Sequence, residues 1–219
     1  EQVSEFFKDY NEHLIFEGLN EPRLRGTSKE WTGDAKASEI INYWERLFVQ
    51  AVRATGGNNT LRHLMITGYA ASSSRDNLAK MTFPDDDKII VSVHAYTPYN
   101  FALNTTGTDK WSASSGGAEL TNFMKMLNEL FISKGVPVII GEFGAVDKNN
   151  TATRVEWAEY YVRAAKEYGI VCVWWDNNGF AGNGENLGLF NRRDLTFPFP
   201  EIVDAMMNVV YPEGVPSAE

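Results

Sequence analysis

Apolar, β-branched runs recur along this chain, separated by stretches with helical periodicity. Five of them have the length and composition of strands buried on both faces: residues 14–18, 63–67, 89–94, 137–142 and 170–175. Between them, apolar positions return every three or four residues. Residues 38–55 place Ile41, Trp44, Leu47, Phe48, Ala51 and Val52 on one face, with Ser38 as the expected N-cap and Gly56-Gly57 as the stop. Residues 121–134 repeat the logic with Phe123, Met124, Leu127, Leu130 and Phe131 ahead of Gly135. Residues 151–168 do so with Val155, Ala158, Tyr161, Val162 and Ala165 ahead of Gly169, and 201–210 read as a last helix. Residues 2–11 read as the tail of a helix preceding the first strand. The alternation of strand, loop and helix predicts an α/β fold on a parallel sheet. Residues 104–117 and 181–186 are expected as long loops after strands. Asp85-Asp-Asp87 is expected as a solvated turn, with a calcium site as the alternative.

Two of the runs deliver a glutamate at their C-terminal ends: Leu14-Ile-Phe-Glu-Gly-Leu-Asn20-Glu21-Pro22 and Val138-Ile-Ile-Gly-Glu142-Phe-Gly144. Parallel-barrel enzymes keep their reacting groups at that edge of the strands, so a paired-carboxylate site is the first hypothesis. Strict alternation sends Asn20 and Glu21 to opposite faces; a bulge or turn at Pro22 lets both face one ligand. Glu17 is read as structural, with Arg23 or Arg25 to pair with it. Along Ile90-Val-Ser92-Val-His94-Ala-Tyr96, period two sets Ser92, His94 and Tyr96 against Val91 and Val93. Alone, this fits a satisfied core histidine beside an interior tyrosine. Glu142 on the next strand brings a carboxylate within reach of Tyr96 if the strands are neighbours. Trp174-Trp175 ends the fifth run with one indole to each side, and both fit a core role as well as a functional one.

Charge narrows the partners. With 29 acidic residues against 20 basic, the net charge is -9, and neutralising phosphates needs a basic face, so no nucleic acid is expected. No run approaches the ~20 apolar residues of a bilayer span, and Glu1-Gln-Val-Ser-Glu-Phe-Phe does not read as a signal peptide, so no membrane partner is expected either. The single cysteine, Cys172, reads as a buried, inert thiol. At 219 residues and 43% hydrophobic content, the chain is expected to form one domain over 1–219. Aromatic residues near the carboxylates would have a use beyond packing, because sugar rings present flat C–H faces that stack on them.

Four motifs, in order and in place on the strands, resemble glycoside hydrolase family 5, closest to the subfamily 4 endoglucanases of anaerobic cellulolytic bacteria. They are Ile15-Phe-Glu-Gly-Leu-Asn-Glu-Pro22, Val93-His-Ala-Tyr-Thr-Pro-Tyr99, Ile139-Ile-Gly-Glu-Phe-Gly-Ala145 and Val173-Trp-Trp-Asp-Asn-Asn178. The resemblance implies a (β/α)8 TIM-barrel type that is incomplete: the five strands correspond to the fourth to eighth. The first three are lacking, with an arginine near the end of the second and a histidine after the third. It also implies roles. Glu21 is the general acid/base and Glu142 the nucleophile of retaining β-1,4-glucan hydrolysis. Asn20 meets the sugar 2-hydroxyl, His94 and Tyr96 frame the nucleophile, and Trp175 lies under the reacting sugar. No metal or organic cofactor is implied.

The expected substrate is cellulose-type or mixed-linkage β-glucan, with xyloglucan or xylan as further candidates, met outside the cell. Self-association or a missing N-terminal fragment is expected to complete the barrel. The alternative is an inactive or weakly active partial barrel that only binds β-glucan. A metal-dependent barrel lyase or isomerase fits poorly, because Thr67-Gly-Tyr69 and His94-Ala-Tyr96 stand where its carboxylates belong.

Overall fold

In the computed structural model, which describes residues 1–214, strand and helix alternate as the pattern predicts. The chain runs α1 (Gln2–Phe6), β1 (Phe16–Glu17), α2 (Ala35–Ala54), β2 (Leu64–Ser72), α3 (Arg75–Leu78), β3 (Ile89–His94), α4 (Tyr99–Ala102), α5 (Ala113–Leu130), β4 (Val138–Phe143), α6 (Thr151–Lys166), β5 (Val171–Trp174) and α7 (Pro200–Val210). Strand order follows the sequence, β1-β2-β3-β4-β5. Two compact units divide the chain: residues 1–94 with 129–139, and residues 95–128 with the chain from Ile140 onward. None of the described helices is long and apolar enough to cross a membrane.

In the first unit β1 and β2 pair in parallel, as do β2 and β3, with Phe16 beside Leu64 and Leu64 beside Ile89. Val49 and Val52 of α2 pack on Leu64, Ile66 and Ile89, joined by Phe16, Phe48 and Met81. The buried face of α2 differs from the expected one. Ile41, Asn42, Glu45, Val49 and Val52 are buried, whereas Trp44 and Leu47 are exposed. The rotation serves backbone groups: Asn42 donates to the Lys80 carbonyl and accepts from the Thr82 N–H, and Glu45 accepts from the Thr67 N–H at 2.9 Å. The helix also starts earlier, because Gly33 turns the chain at φ +66° and Asp34 caps the Ala37 N–H; Ser38 lies one turn inside.

The ladder between β2 and β3 breaks after Thr67 beside Ser92, and the next pair is Ser72 beside His94. Ala70 and Ala71 absorb the extra residues at φ +56° and +47°, backbone that costs on the order of 1–3 kcal/mol for each non-glycine residue. The bulge is held from β1's side: the Ala70 N–H donates to the Pro22 carbonyl over 3.0 Å.

Ahead of β1, the chain is pinned by a residue the sequence did not single out. Arg62 is fully buried, stacks on Phe16 and donates to the carbonyls of Phe7, Tyr10, Asn11 and Leu14. The acidic turn is likewise structural: Asp86 takes the Arg53 guanidinium through both oxygens, at 2.6 and 2.9 Å.

The second unit is built on aromatics. Phe143, Trp157, Tyr161 and Trp174 form one cluster, with Phe143 and Tyr161 stacked at 4.7 Å. Helix α5 starts at Ala113, within the expected loop. Gly116 and Gly117 sit there because a Cβ would meet Trp111 Nε1 at 2.1 Å and the Tyr160 hydroxyl at 2.7 Å. On β5, Val171 and Val173 are exposed. Cys172 is half-buried, and desolvation pushes its thiol up to about 12, consistent with an inert group.

Candidate active site

Glu21 lies four residues past the end of β1, on a segment fixed by the Ala70 to Pro22 hydrogen bond. Its carboxyl is held from two sides. His94 Nδ1, at the end of β3, is 2.9 Å from Glu21 Oε1, and Arg23 Nη1 donates to Glu21 Oε2 at 3.0 Å and to its carbonyl at 3.1 Å. His94 is buried, whereas the Glu21 side chain keeps 21% exposure, enough for a ligand to reach it. The Glu21–His94 contact pairs a carboxyl with an imidazole, two groups between which one proton passes with little motion.

Arg23 does not pair with Glu17, as the sequence reading expected. Glu17 is exposed, and Arg23 donates instead to Glu21 and Glu30 while lying 4.4 Å over the Trp31 ring. The carboxyl buried beside β1 belongs to Glu45. Its Oε2 has no hydrogen bond, and a side chain at Gly18 would meet it at 2.5 Å. Burial pushes Glu45 from 4.5 to about 7, against the Thr67 N–H, and Glu17 adds to the rise.

The second unit holds the other glutamate. Glu142 is buried near the end of β4, and its Oε2 accepts from the Tyr96 hydroxyl at 2.9 Å. Its backbone is fixed as well, since Ala95 donates to the Glu142 carbonyl at 2.8 Å and the Tyr161 hydroxyl donates to that of Ala95. Alternation along β4 sends Phe143 into the aromatic cluster, so Glu142 points to the other side.

Trp174 and Trp175 divide in the same way. Trp174 packs on Phe143 and donates to the Leu187 carbonyl, whereas Trp175 is 45% exposed. Asp176 organises the loop that follows, accepting from the N–H groups of Asn178, Leu189 and Phe190. Burial alone would raise its pKa, but those donors and Arg192 hold it below the usual range. Asn20 is exposed beside Glu21.

Comparison with known proteins gives the family. The model of Cellulase (glycosyl hydrolase family 5) matches residues 1–181. The chain belongs to glycosyl hydrolase family 5. It is 57% identical over 204 residues to Endoglucanase 1 of Ruminococcus albus, an alignment covering 93% of the chain and 50% of that relative. Among solved structures, a GH5-4 broad specificity endoglucanase from Ruminococcus champanellensis with bound cellotriose superposes with a TM-score of 0.91 at 49% identity, over 94% of the chain and 60% of its own. A lichenase of the same family from Caldicellulosiruptor sp. F32, a mutant in complex with cellotetraose, gives 0.91 at 49% identity over 95% and 60%.

The family 5 chain therefore spans about half the length of that curated relative and three fifths of these structures. The expected fold class, an incomplete parallel barrel with five strands, agrees with these matches. From sequence, Trp31 had no role, Arg23 was expected beside Glu17 rather than Glu21, and Asp176 stood within a motif without its loop-holding contacts. A tryptophan in a polar loop two positions before Gly33 was the available signal for Trp31.

Proposed function

We propose that this chain carries the acid/base and the nucleophile of a retaining endo-β-1,4-glucanase acting on cellulose-type or mixed-linkage β-glucans. In that reaction Glu142 attacks the anomeric carbon while Glu21 protonates the departing glycosidic oxygen, which breaks the C–O bond and leaves a glycosyl-enzyme. Glu21 then takes a proton from water, whose oxygen releases the sugar from Glu142; carboxyls that share this work stand ~5 Å apart. Tyr96 stabilises the ionised nucleophile, and His94 exchanges the proton of Glu21. Asn20 meets the sugar 2-hydroxyl, and Trp175 offers its exposed face to the reacting sugar. The chemistry needs no metal or cofactor.

One observation carries this reading: each glutamate follows or ends a strand and is held by a side chain from the 94–96 segment, His94 for Glu21 and Tyr96 for Glu142. Family membership and relatives bound to cellotriose and cellotetraose support it. An extracellular location is part of this proposal, because such polysaccharides are met outside the cell.

A second reading is favoured by the exposed Ile15, Val171 and Val173 and by the partial span of the relatives: a module that binds β-glucan without cutting it, or that works only with an N-terminal fragment or a second copy. Mass and reducing-sugar release from carboxymethylcellulose, measured on one chromatographic peak, separate the two. Turnover by a monomer that Glu142→Gln abolishes selects the hydrolase. Affinity without turnover selects the binding module. Turnover confined to a larger species selects assembly.

A further inference from the structure

We propose that Glu45 is a positioning residue for Glu21: its carboxyl braces the segment from which Glu21 is hung. The proposal rests on Glu21 being the acid/base. That segment, residues 18–22, is tied to β2 at its two ends, where the Gly18 N–H donates to the Met65 carbonyl at 3.2 Å and the Ala70 N–H to that of Pro22 at 3.0 Å. Between the ties, Glu21 meets His94 at 2.9 Å. Moving either tie moves the acid.

Glu45 bears on both ends. Reaching in from α2, it is 1% exposed, and its Oε1 accepts from the Thr67 N–H at 2.9 Å. Thr67 is the last residue of β2 in register with β3 before the bulge that presents the Ala70 N–H, and its hydroxyl donates to the Ser92 carbonyl at 3.1 Å. The other oxygen bears on the exit from β1. A Cβ at Gly18 would stand 2.5 Å from Glu45 Oε2 and 2.7 Å from the Phe48 ring, so the main chain there lies directly on the carboxyl, an approach that only glycine allows.

The brace works uncharged. Burial holds the carboxyl neutral below about pH 7. Above it, charge arrives on an oxygen that has no hydrogen bond. The facing elements supply no donor: β1 brings Glu17, whose charge repels, β2 the Tyr69 phenol, tied to Leu24 and Lys29, and β3 His94, turned to Glu21. On α2 itself, Arg46 turns to Thr82 and Tyr43. Solvating the ionised oxygen draws the Gly18 segment off α2, and Glu21 with it.

The test uses the full 219-residue chain with cellotetraose as substrate. Glu45→Ala is expected to lower kcat per folded molecule about tenfold, with KM held within about twofold, because a displaced acid fails in proton transfer rather than in sugar binding. Asp86→Ala breaks the pair with Arg53 near the C-terminal end of α2; it should cost stability and leave kcat unchanged. From pH 6 to 8.5 the kcat of the parent should fall about tenfold further than that of Glu45→Gln, which keeps an acceptor for Thr67 and stays neutral. Unchanged kcat in Glu45→Ala, a loss confined to KM, or equal falls in the parent and Glu45→Gln overturns the proposal. If Glu45→Ala does not fold, the comparison with Glu45→Gln decides alone.

Hydrogen exchange reads the brace without turnover. In Glu45→Ala, protection of the Ala70 N–H should fall about tenfold further than that of the Val91 N–H, which donates to the Pro137 carbonyl elsewhere in the sheet. Equal losses at the two amides overturn the proposal. Absence of hydrolysis by the unsubstituted chain, with Ala70 loosened in the variant, counts against the enzymatic reading and leaves the brace on the Glu21 segment standing.

Discussion

The Tyr96 hydroxyl donates to Glu142 Oε2 over 2.9 Å, and the same carboxyl's backbone carbonyl is tied to Ala95. Side chain and main chain of Glu142 are thus both held by the segment that leaves β3. A hydrogen bond to an ionised group contributes roughly 1.5–3 kcal/mol. Tyr96→Phe should therefore lower kcat on cellotetraose by about ten- to a hundredfold with little change in KM, since in the proposed mechanism the interaction serves the attacking charge rather than sugar binding. Steady-state kinetics of the two proteins decide it, and a drop confined to KM would contradict the assigned role.

Glu45 makes stability depend on pH. Its folded pKa, about 7, lies above the unfolded value of 4.5, so the unfolded chain loses this proton first. Its contribution is complete below about pH 4.5, falls as pH rises through 7 and is flat above, a loss of roughly 3 kcal/mol. Glu45→Gln keeps an acceptor for the Thr67 N–H and removes the charge. Urea unfolding should find the variant more stable than the parent at pH 8, with the difference shrinking toward pH 4.5. A constant difference across that range would refute the account.

Arg62 holds four main-chain carbonyls ahead of β1. Arg62→Lys cannot span them with one ammonium, and it also loses the stacking on Phe16. We expect a loss of about 2–3 kcal/mol, read as a lower urea midpoint, with early proteolytic cuts in residues 7–14. A wild-type midpoint would mean that the N-terminal segment contributes nothing to the fold.

Asp176 collects three loop amides. With Asp176→Ala, hydrogen exchange at Leu189 and Phe190 should accelerate while the Trp157 and Tyr161 region stays protected. Because hydrogen bonds hold its folded pKa low, the stability this carboxylate contributes is present above its unfolded pKa and lost as pH falls below it. Unchanged exchange at Leu189 would assign the loop's order to its Phe190–Phe197 contact instead.

All five strand positions were legible in the sequence, because parallel strands carry contiguous apolar runs, but the expected burial on both faces fails at β1 and β5, where Glu17, Val171 and Val173 are exposed. Their ends were less so. β1 shrinks to two residues, and β2 extends to Ser72 through a bulge that its small residues, Gly68, Ala70 and Ala71, conceal. The face of α2 was misjudged for a different reason. Periodicity counts apolar residues, yet Asn42 and Glu45 are buried because main-chain groups need their oxygens and nitrogens, while Trp44 and Leu47 remain outside. The start of α5 was missed because a glycine pair reads as a loop until Trp111 and Tyr160 are seen to fill the space beside it.

By itself the sequence determined the order of elements, the family and the strands that deliver Glu21 and Glu142, since those depend on local pattern and on motifs contiguous in the chain. Only the tertiary structure decided what holds each carboxyl. Arg23 is two residues from Glu21 and six from Glu17, and nothing in the spacing chooses between them. The choice falls to the exit of the chain from β1, where Pro22 meets the bulge at Ala70 and the loop tied by Tyr69 turns Arg23 back onto Glu21, with Trp31 stacked against it. Hydrogen bonds and stacking act over a few ångströms, and residues such as Leu24 and Tyr69, or Glu21 and His94, come within that range only when strands distant in sequence are laid side by side.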